Sequence, residues 1–370
     1  KHLSEEKQVA IDSVQAKLKE FLIPNLTFET TDRNEVAIVF ERINRAGTEL
    51  DVFSLLAAWS WSDDFDLIDK FRALQAEIAD HGYSELVDDR DLQLRICAAV
   101  ITGETSPDKI LDLQGDDIRK RFSEIEAGIL GAIDFLKREL TVKHYKMLPY
   151  PGILVPLSVF FATNNADGVN YSDGQKQKLL KWFWISLFTR RFSSDVSERQ
   201  KFDIAEMRFL RADEHHSFKY PRYELRIDFE KDRFSTGNAN SKTLILMLTQ
   251  LQPHSFLSGA RIDPDKVLKK GSRHEFHHVF PRKFLEDREI DLRDANSMSN
   301  FCFLTRADNN SIKARDPGEY FQQMSAGSRE EYLREALIEY SDRNLDFFDF
   351  RKVRAERLSS FAHQLANVEI

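Results

Sequence analysis

The stretch Phe276-His277-His278-Val279-Phe280-Pro281 decides how the carboxy-terminal part of this chain folds. An apolar segment, Ser299-Asn300-Phe301-Cys302-Phe303-Leu304, comes next, and polar Asp308-Asn309-Asn310 follows it. The pattern predicts a β-hairpin over about 271–315 in which a helix follows the second strand. Because neighbouring strand residues point to opposite faces, His277 and His278 are expected to have different surroundings and different roles.

These residue types suit the hydrolysis of a phosphodiester. That reaction needs an activated water in line with the leaving oxygen, and positive charge where negative charge develops. An imidazole, with its ordinary pKa of ~6.5, can accept a proton from water near neutral pH. The histidines and asparagines therefore favour phosphodiester hydrolysis. The rest of the chain mostly favours a structural, helical framework.

The spacing resembles that of HNH-type nucleases. In that pattern the first histidine, here His277, binds a divalent metal ion, and the second, His278, is the general base. Asn309 falls early on the following helix, where its oxygen can reach the same cation. Asn300 is expected to hydrogen-bond across the loop that carries His278 and to orient the base. Two protein ligands leave positions for water and phosphate, which fits Mg²⁺ or Mn²⁺.

Each of these residues also has a structural explanation. Asn300 can simply end a strand, and Asn309 can belong to a turn or a helix cap. A second pair, His215-His216, lies beside Asp213-Glu214 without partner asparagines and is interpreted as a solvated loop. The combination of spacing, Pro281 and an apolar strand before Asn309 favours the nuclease interpretation.

Composition places the chain among globular proteins of two or three domains, because 370 residues with 42% apolar content can form real cores. The 29 Phe residues favour large, mostly helical cores. The only cysteines, Cys97 and Cys302, lie far apart in apolar segments, which argues against a disulfide framework or a zinc-supported hairpin. The opening residues show no secretory signal, and a cytoplasmic location is expected.

The net charge of −8 argues against general nucleic-acid binding, so any DNA contact has to be local. Residues 261–288 hold eight Lys/Arg against five Asp/Glu, and residues 176–222 hold eleven against six. Either stretch can line a phosphate track, although ordinary helix faces explain the second equally well. Arg282 and Lys313 are candidate phosphate contacts because they lie near the histidines and asparagines; the alternative is solvated surface charge.

The pattern along the chain predicts a mainly α fold, with a small ββα-metal unit near the C-terminus and a remnant α+β segment at the N-terminus. Leu26–Thr30 alternates like a strand, and residues 118–140 carry the clearest helical pattern. The Gly/Asn/Ser-rich stretch Ser235–Ser241 is the most plausible linker. The predicted domains are a ParB-like remainder over 1–62, a helical domain over 63–238 and the nuclease domain over 239–370.

A wider resemblance covers most of the chain. Phe40-Glu41-Arg42-Ile43-Asn44-Arg45-Ala46-Gly47-Thr48-Glu49-Leu50 resembles the signature of the GmrSD-type restriction endonucleases, which pair a ParB-like NTPase-type domain with an HNH domain. Residues 182–192 are similar to that family's central helical region. Residues 276–281, with Asn300, Asn309 and Pro317-Gly318-Glu319-Tyr320, are similar to its nuclease module.

This resemblance implies restriction of incoming double-stranded DNA, including modified or phage DNA, by cutting or nicking. The family's Asp-Gly-Gln-Gln-Arg motif is absent, which argues against nucleotide binding; its absence suggests that residues upstream of Lys1 are missing. Asp173-Gly174-Gln175-Lys176-Gln177 matches it only superficially and is interpreted as a variant capping box at a helix start. One hairpin cuts one strand, so a double-strand break requires a homodimer or two encounters.

Two other functions compete with this interpretation. The acidic net charge and the absent motif are compatible with a DNA-binding sensor or regulatory module whose hairpin is not catalytic. An RNA-cleaving toxin ranks last, because the hairpin helix of HNH relatives lies on the minor groove of duplex DNA. Cleavage assays on duplex DNA and RNA separate the three.

Overall fold

The computed structural model describes residues 5–21, 27–30, 35, 39, 52–263 and 276–367. The chain divides into two compact units, Lys1–Val52 and Phe53–Ile370. The protein is mainly helical, as the sequence predicts. Among the described residues, no helix combines the length and apolarity needed to cross a membrane. The domain boundaries near residues 62 and 238 stay predictions.

The first unit contains helix α1, Glu5–Glu20. The strand predicted over Leu26–Thr30 is not observed at residues 27–30, the part that the structure describes. A strand requires hydrogen bonds to a neighbour, and the described sheet contains no strand from this unit. The family-like stretch Phe40–Leu50 lies outside the described residues.

Helices build the chain from residue 52 to residue 249. They are α2 (Val52–Ser60), α3 (Leu67–Ala79), α4 (Arg90–Ile101), α5 (Pro107–Leu111), α6 (Gly115–Leu140), α7 (Leu154–Phe161), α8 (Asp173–Phe188), α9 (Val196–Ala212) and α10 (Ala239–Thr249). Short 3-10 turns lie at Ser84–Asp88, Tyr145–Met147, Pro151–Ile153 and Arg191–Ser193. The apolar side of α6 is buried as its periodicity predicts, with Ile118, Phe122, Ile125, Ile129, Ile133, Leu136 and Leu140 all in the core.

Helix α7 lies at the centre of this helical core, because all of its residues are buried. Helix α6 approaches it closely at Gly128, where a Cβ would lie 2.5 Å from the Ser158 carbonyl oxygen. Only glycine allows the two backbones to come this near. The close packing of α6 on α7 therefore depends on the absence of a side chain at Gly128.

Helix α8 begins where the Asp173–Gln177 sequence starts. Ser172 is its N-cap, and the Ser172 hydroxyl accepts a hydrogen bond from the Gln175 nitrogen at 3.2 Å. The Gln175 side chain accepts one from the Ser172 nitrogen at 2.9 Å, which completes a capping box. The interpretation of this stretch as a capping box at a helix start is confirmed.

The carboxy-terminal part combines two short strands with short helices and one long closing helix. Its elements are β1 (Phe276–His278), α11 (Arg282–Glu286), α12 (Leu292–Ala295), β2 (Phe301–Phe303), α13 (Arg306–Ile312), α14 (Pro317–Tyr320), α15 (Arg329–Glu335) and α16 (Phe347–Leu365). Three 3-10 turns lie at Met298–Asn300, Phe321–Gln323 and Tyr340–Asn344. Helix α15 ends at Glu335, and Leu337, two residues later, takes the left-handed conformation (φ 57°).

Arg354 of α16 connects three segments of the carboxy-terminal part through buried hydrogen bonds. Its side chain is fully buried, and its guanidinium donates to the Ala336 carbonyl at 3.1 Å and to the Ser299 carbonyl at 2.6 Å. Burial lowers its pKa to about 10, so it remains charged at neutral pH. The long helix α16 is thereby attached to the residue that precedes Asn300.

The segment from Phe229 to Phe234 runs beside the turn that leads into β2. The Ser299 nitrogen donates to the Phe229 carbonyl, and the Phe234 nitrogen donates to the Asn296 carbonyl, each at 2.9 Å. The Phe234 ring also stacks on Phe301, with centroids 4.0 Å apart. These contacts fix the chain immediately before the proposed linker Ser235–Ser241 against the hairpin.

Candidate functional site

The hairpin places the two adjacent histidines on opposite faces. Strands β1 and β2 are antiparallel, and their register pairs His277 with Cys302 and His278 with Phe301. Cys302 belongs to the buried core, whereas the His278 ring lies 4.4 Å from the Phe301 ring. The two imidazoles therefore have different surroundings, as strand alternation predicts.

His278 is half-buried, and Asn296 is its polar partner among the described residues. Its Nε2 lies 2.9 Å from Oδ1 of Asn296. Burial lowers the pKa of His278, the hydrogen bond with Asn296 raises it, and the nearby positive charge of Arg282 lowers it. The net shift of the His278 pKa is downward, which favours the neutral form of the imidazole. A neutral imidazole is the form that can accept a proton.

Asn300 is fully buried and holds the main chain that follows His278. Its Oδ1 accepts from the Phe280 nitrogen at 2.8 Å, and its Nδ2 donates to the Phe280 carbonyl at 3.1 Å. Nδ2 also donates to the Ala295 carbonyl at 2.9 Å. Asn300 bonds across the loop after His278, through backbone atoms and not through the imidazole. Its role in orienting a base stays a prediction.

Asn309 lies on α13, the helix that follows β2. Thr305 caps this helix, and its hydroxyl accepts a hydrogen bond from the Asp308 nitrogen at 3.2 Å. The Asn309 side chain is partly exposed and makes no hydrogen bond among the described residues. Its amide oxygen is therefore available to an external ligand.

Asp308 fixes α13 in place. This carboxylate is buried and accepts hydrogen bonds from the Leu257 and Ser258 nitrogens, both at 2.9 Å. It also accepts from the hydroxyls of Ser255 and Ser258. Such a satisfied buried carboxylate gives the helix a defined rotation, which in turn fixes where Asn309 projects.

The predicted donor set is of a kind that would hold a divalent ion weakly. In the part of the chain that the structure describes, no three or more His, Cys, Asp or Glu side chains form a metal-binding group. The predicted set consists of one imidazole, His277, and one amide oxygen, Asn309, and the unengaged amide of Asn309 suits it. One nitrogen and one oxygen ligand leave most of the coordination sphere to water and phosphate, which Mg²⁺ and Mn²⁺ tolerate.

The two candidate phosphate contacts differ in their surroundings. Arg282 is exposed, pairs with Glu286 at 2.7 Å and lies close enough to His278 to lower the pKa of that imidazole. Lys313 is exposed, forms no ion pair among the described residues, and has φ 56° and ψ −121°. That conformation is rare for a residue with a side chain. DNA contact by either residue stays a prediction.

In the second basic stretch, residues 176–222, several arginines bind backbone carbonyls or carboxylates of the protein itself. Arg208 donates to the Ala99 and Val100 carbonyls, and Arg211 donates to the Phe160 and Ala162 carbonyls. Arg191 forms a two-point ion pair with buried Asp203. These contacts favour the alternative that the stretch supports helix packing rather than a phosphate track.

The interpretation of His215-His216 as a solvated loop is correct for one residue and wrong for the other. His215 is exposed, whereas His216 is half-buried and its Nε2 lies 3.0 Å from the Glu206 carboxylate. The Phe209 ring also lies 5.3 Å from the His216 ring. Glu206, ten residues earlier on α9, supplies the partner that the local sequence did not reveal.

Sequence reasoning missed three residues around the hairpin. Asn296 contacts His278 from 18 residues away, and its only local signal is its place at the end of a four-residue helix. Asp308 appeared only as part of a polar stretch before Asn309, and Arg354 was assigned no role from the sequence. An aspartate and an arginine within otherwise apolar patterns were the available signals for burial.

Comparison with known proteins gives limited guidance. No family model matches the chain. The chain is 21% identical over 356 residues to the uncharacterized protein MJ0686 of Methanocaldococcus jannaschii. The match covers 88% of this chain and 56% of that protein, so the chain spans little more than half the length of the relative.

Proposed function

We propose that this chain is a metal-dependent DNA endonuclease or nickase of the HNH type, acting in restriction of foreign DNA. The observation that supports it is the hairpin-helix unit in which Asn300 holds the loop after His278, an imidazole whose pKa burial lowers. The unit is then a ββα-metal fold, and the amino-terminal segment is the remainder of a ParB-like domain. The cellular location is cytoplasmic.

In this mechanism His278 takes a proton from the attacking water. His277 and Asn309 would hold Mg²⁺ or Mn²⁺, and the ion would supply positive charge at the scissile phosphate. Asn300 keeps the His278 loop in one conformation. Arg282 and Lys313 contact phosphates of double-stranded DNA on either side of the cut. Each residue thereby has one task in binding or proton transfer.

Nicking of supercoiled plasmid with Mg²⁺ or Mn²⁺ tests the proposal. We expect relaxed circles with the wild-type protein, none after chelation of the metal, and a rate reduced about 10²- to 10⁴-fold in His278→Ala. His215→Ala is the matched control, because His215 is an exposed histidine whose Nε2 lies 3.7 Å from the Glu214 carboxylate. Equal cleavage by His278→Ala and wild type would reject His278 as the base.

A DNA-binding sensor module with a non-catalytic hairpin is the second candidate, favoured by the absence, among the described residues, of a group of three or more metal-binding side chains. It predicts DNA binding that is insensitive to metal, and no nicking at any metal concentration. Single-stranded RNA in the same assay separates both candidates from a ribonuclease, for which cleavage of RNA exceeds that of duplex DNA.

A further inference from the structure

We propose that Asn296 is a positioning residue that holds the proton of the His278 imidazole on Nε2 and so makes Nδ1 the atom that accepts the proton from water. The proposal rests on the proposed nuclease function and adds a residue to its site. It also states which nitrogen reacts.

The contact between the two side chains defines the tautomer. Nε2 of His278 lies 2.9 Å from Oδ1 of Asn296. An amide oxygen only accepts hydrogen bonds, so Nε2 has to carry the hydrogen. A neutral imidazole has one N–H and one lone pair, which leaves the lone pair on Nδ1.

The main chain on both sides of Asn296 is fixed. The Asn296 nitrogen donates to the Leu292 carbonyl at 3.1 Å, and the Asn296 carbonyl accepts from the Phe234 nitrogen at 2.9 Å. The residue before it, Ala295, is buried and accepts from Nδ2 of Asn300. The Asn296 side chain therefore extends from a held backbone and not from a free loop end.

One side chain, Asn300, holds both partners of this contact. Its amide bonds to Phe280, two residues after His278, and to Ala295, one residue before Asn296. The segment that carries the imidazole and the segment that carries its acceptor are thus attached to the same buried group. This arrangement sets the distance between His278 and Asn296, as preorganisation of a proton acceptor requires.

The experiment locates the proton directly. In protein with ¹⁵N-labelled histidine, long-range ¹⁵N–¹H spectra at alkaline pH distinguish a protonated from an unprotonated ring nitrogen, and His278→Ala assigns the signals of His278. We expect the wild-type proton on Nε2, with slow exchange against solvent. A wild-type imidazole protonated on Nδ1 would overturn the proposal.

Two variants test the role of the acceptor. Asn296→Leu removes it at similar volume, and Asn296→Asp keeps an acceptor oxygen. At alkaline pH, with saturating metal, we expect kcat for plasmid nicking to fall about 10- to 100-fold in Asn296→Leu with KM changed less than about threefold. The Nε2 proton should also exchange faster there, whereas Asn296→Asp should keep slow exchange and most of the wild-type kcat. A thermal melt confirms that each variant is folded.

The outcomes separate this inference from the proposed function. An Asn296→Leu protein that keeps both the wild-type kcat and slow proton exchange overturns the role of Asn296. A wild-type protein that never nicks DNA, although its Nε2 proton depends on Asn296, overturns the nuclease function and supports the hydrogen-bond assignment.

Discussion

The side chain of Asn300 and the main chain of Phe280 form a closed pair of hydrogen bonds, 2.8 Å from the Phe280 nitrogen to Oδ1 and 3.1 Å from Nδ2 to the Phe280 carbonyl. The amide imitates a neighbouring peptide group and continues the pairing beyond the end of β1. Pro281, which has no N–H, follows at once and cannot prolong a ladder. The conformation after His278 thus depends on the Asn300 side chain, together with the Tyr320 hydroxyl, which donates to the Val279 carbonyl at 2.6 Å.

Asn300→Ala should lower the free energy of unfolding by about 2–4 kcal/mol, because it leaves buried backbone groups of Phe280 and Ala295 without partners. Urea denaturation measures the change. Asn310→Ala is the matched control, since Asn310 is exposed, and its effect should stay within about 0.5 kcal/mol. Equal stability of both variants would show that the amide pair contributes nothing.

Asn309→Ala should raise the metal concentration that gives half-maximal nicking by about tenfold or more, because it removes an oxygen ligand from a site with few protein ligands. Titration of Mn²⁺ and of Mg²⁺ into the plasmid assay measures the shift. The neighbouring Asn310→Ala should titrate like wild type. If both asparagine variants behave alike, Asn309 is not a ligand.

Comparing Lys313→Gly with Lys313→Ala separates the effect of the Lys313 charge on DNA binding from the effect of its strained backbone on stability. Both should reduce the salt dependence of DNA binding by a slope of ~0.9 if Lys313 contacts phosphate. Only the glycine variant should gain stability, by about 1 kcal/mol or more, because φ 56° and ψ −121° strain any residue with a side chain. Filter binding at several salt concentrations and urea melts provide the two measurements. An unchanged salt slope in both variants removes Lys313 from the interface.

Asp203 should make stability depend on pH. Burial raises its pKa to about 6 despite the opposing effect of Arg191, so the folded protein holds this proton more tightly than the unfolded chain does. The associated stability is present below the ordinary aspartate pKa and is lost as pH rises through about 6. Wild type should therefore lose about 3 kcal/mol relative to Asp203→Asn between acidic and neutral pH. Parallel stability–pH curves for the two proteins would contradict this.

Gly128→Ala should destabilise the helical core by about 1–3 kcal/mol, because the added Cβ would lie 2.5 Å from the Ser158 carbonyl oxygen. Gly174→Ala provides the control, since a Cβ in that first turn of α8 meets only the Ser172 hydroxyl, at 3.6 Å. That change should be neutral or slightly stabilising, because alanine favours helices. Calorimetric melting temperatures of the two variants test the difference.

Local patterns predicted much of the fold. The spacing of apolar residues in α6 predicts the buried side of that helix, and Ser172 with Gln175 predicts the start of α8. These features depend on residues within one or two turns of each other. The antiparallel pairing of the two short strands was also predicted, because the apolar segments and the break at Pro281 are local features.

The partners of the candidate site were harder to predict, because they come from distant segments. Asn296 contacts His278 only after α11 and α12 have turned the chain back, and Asp308 is satisfied by a loop 50 residues earlier. Asn296 is a short polar residue at a helix end, which usually indicates a cap and nothing more. Tertiary structure gives these residues their roles.

The buried Arg354 has a practical consequence for anyone who wants a smaller version of the hairpin unit. A fragment trimmed before α16 would lose the guanidinium that donates to Ser299 and would expose the apolar residues beneath it. Domain-swapping or fusion designs should therefore carry residues up to the end of α16, and sequence searches for minimal versions should look for an arginine some fifty-five positions after that serine.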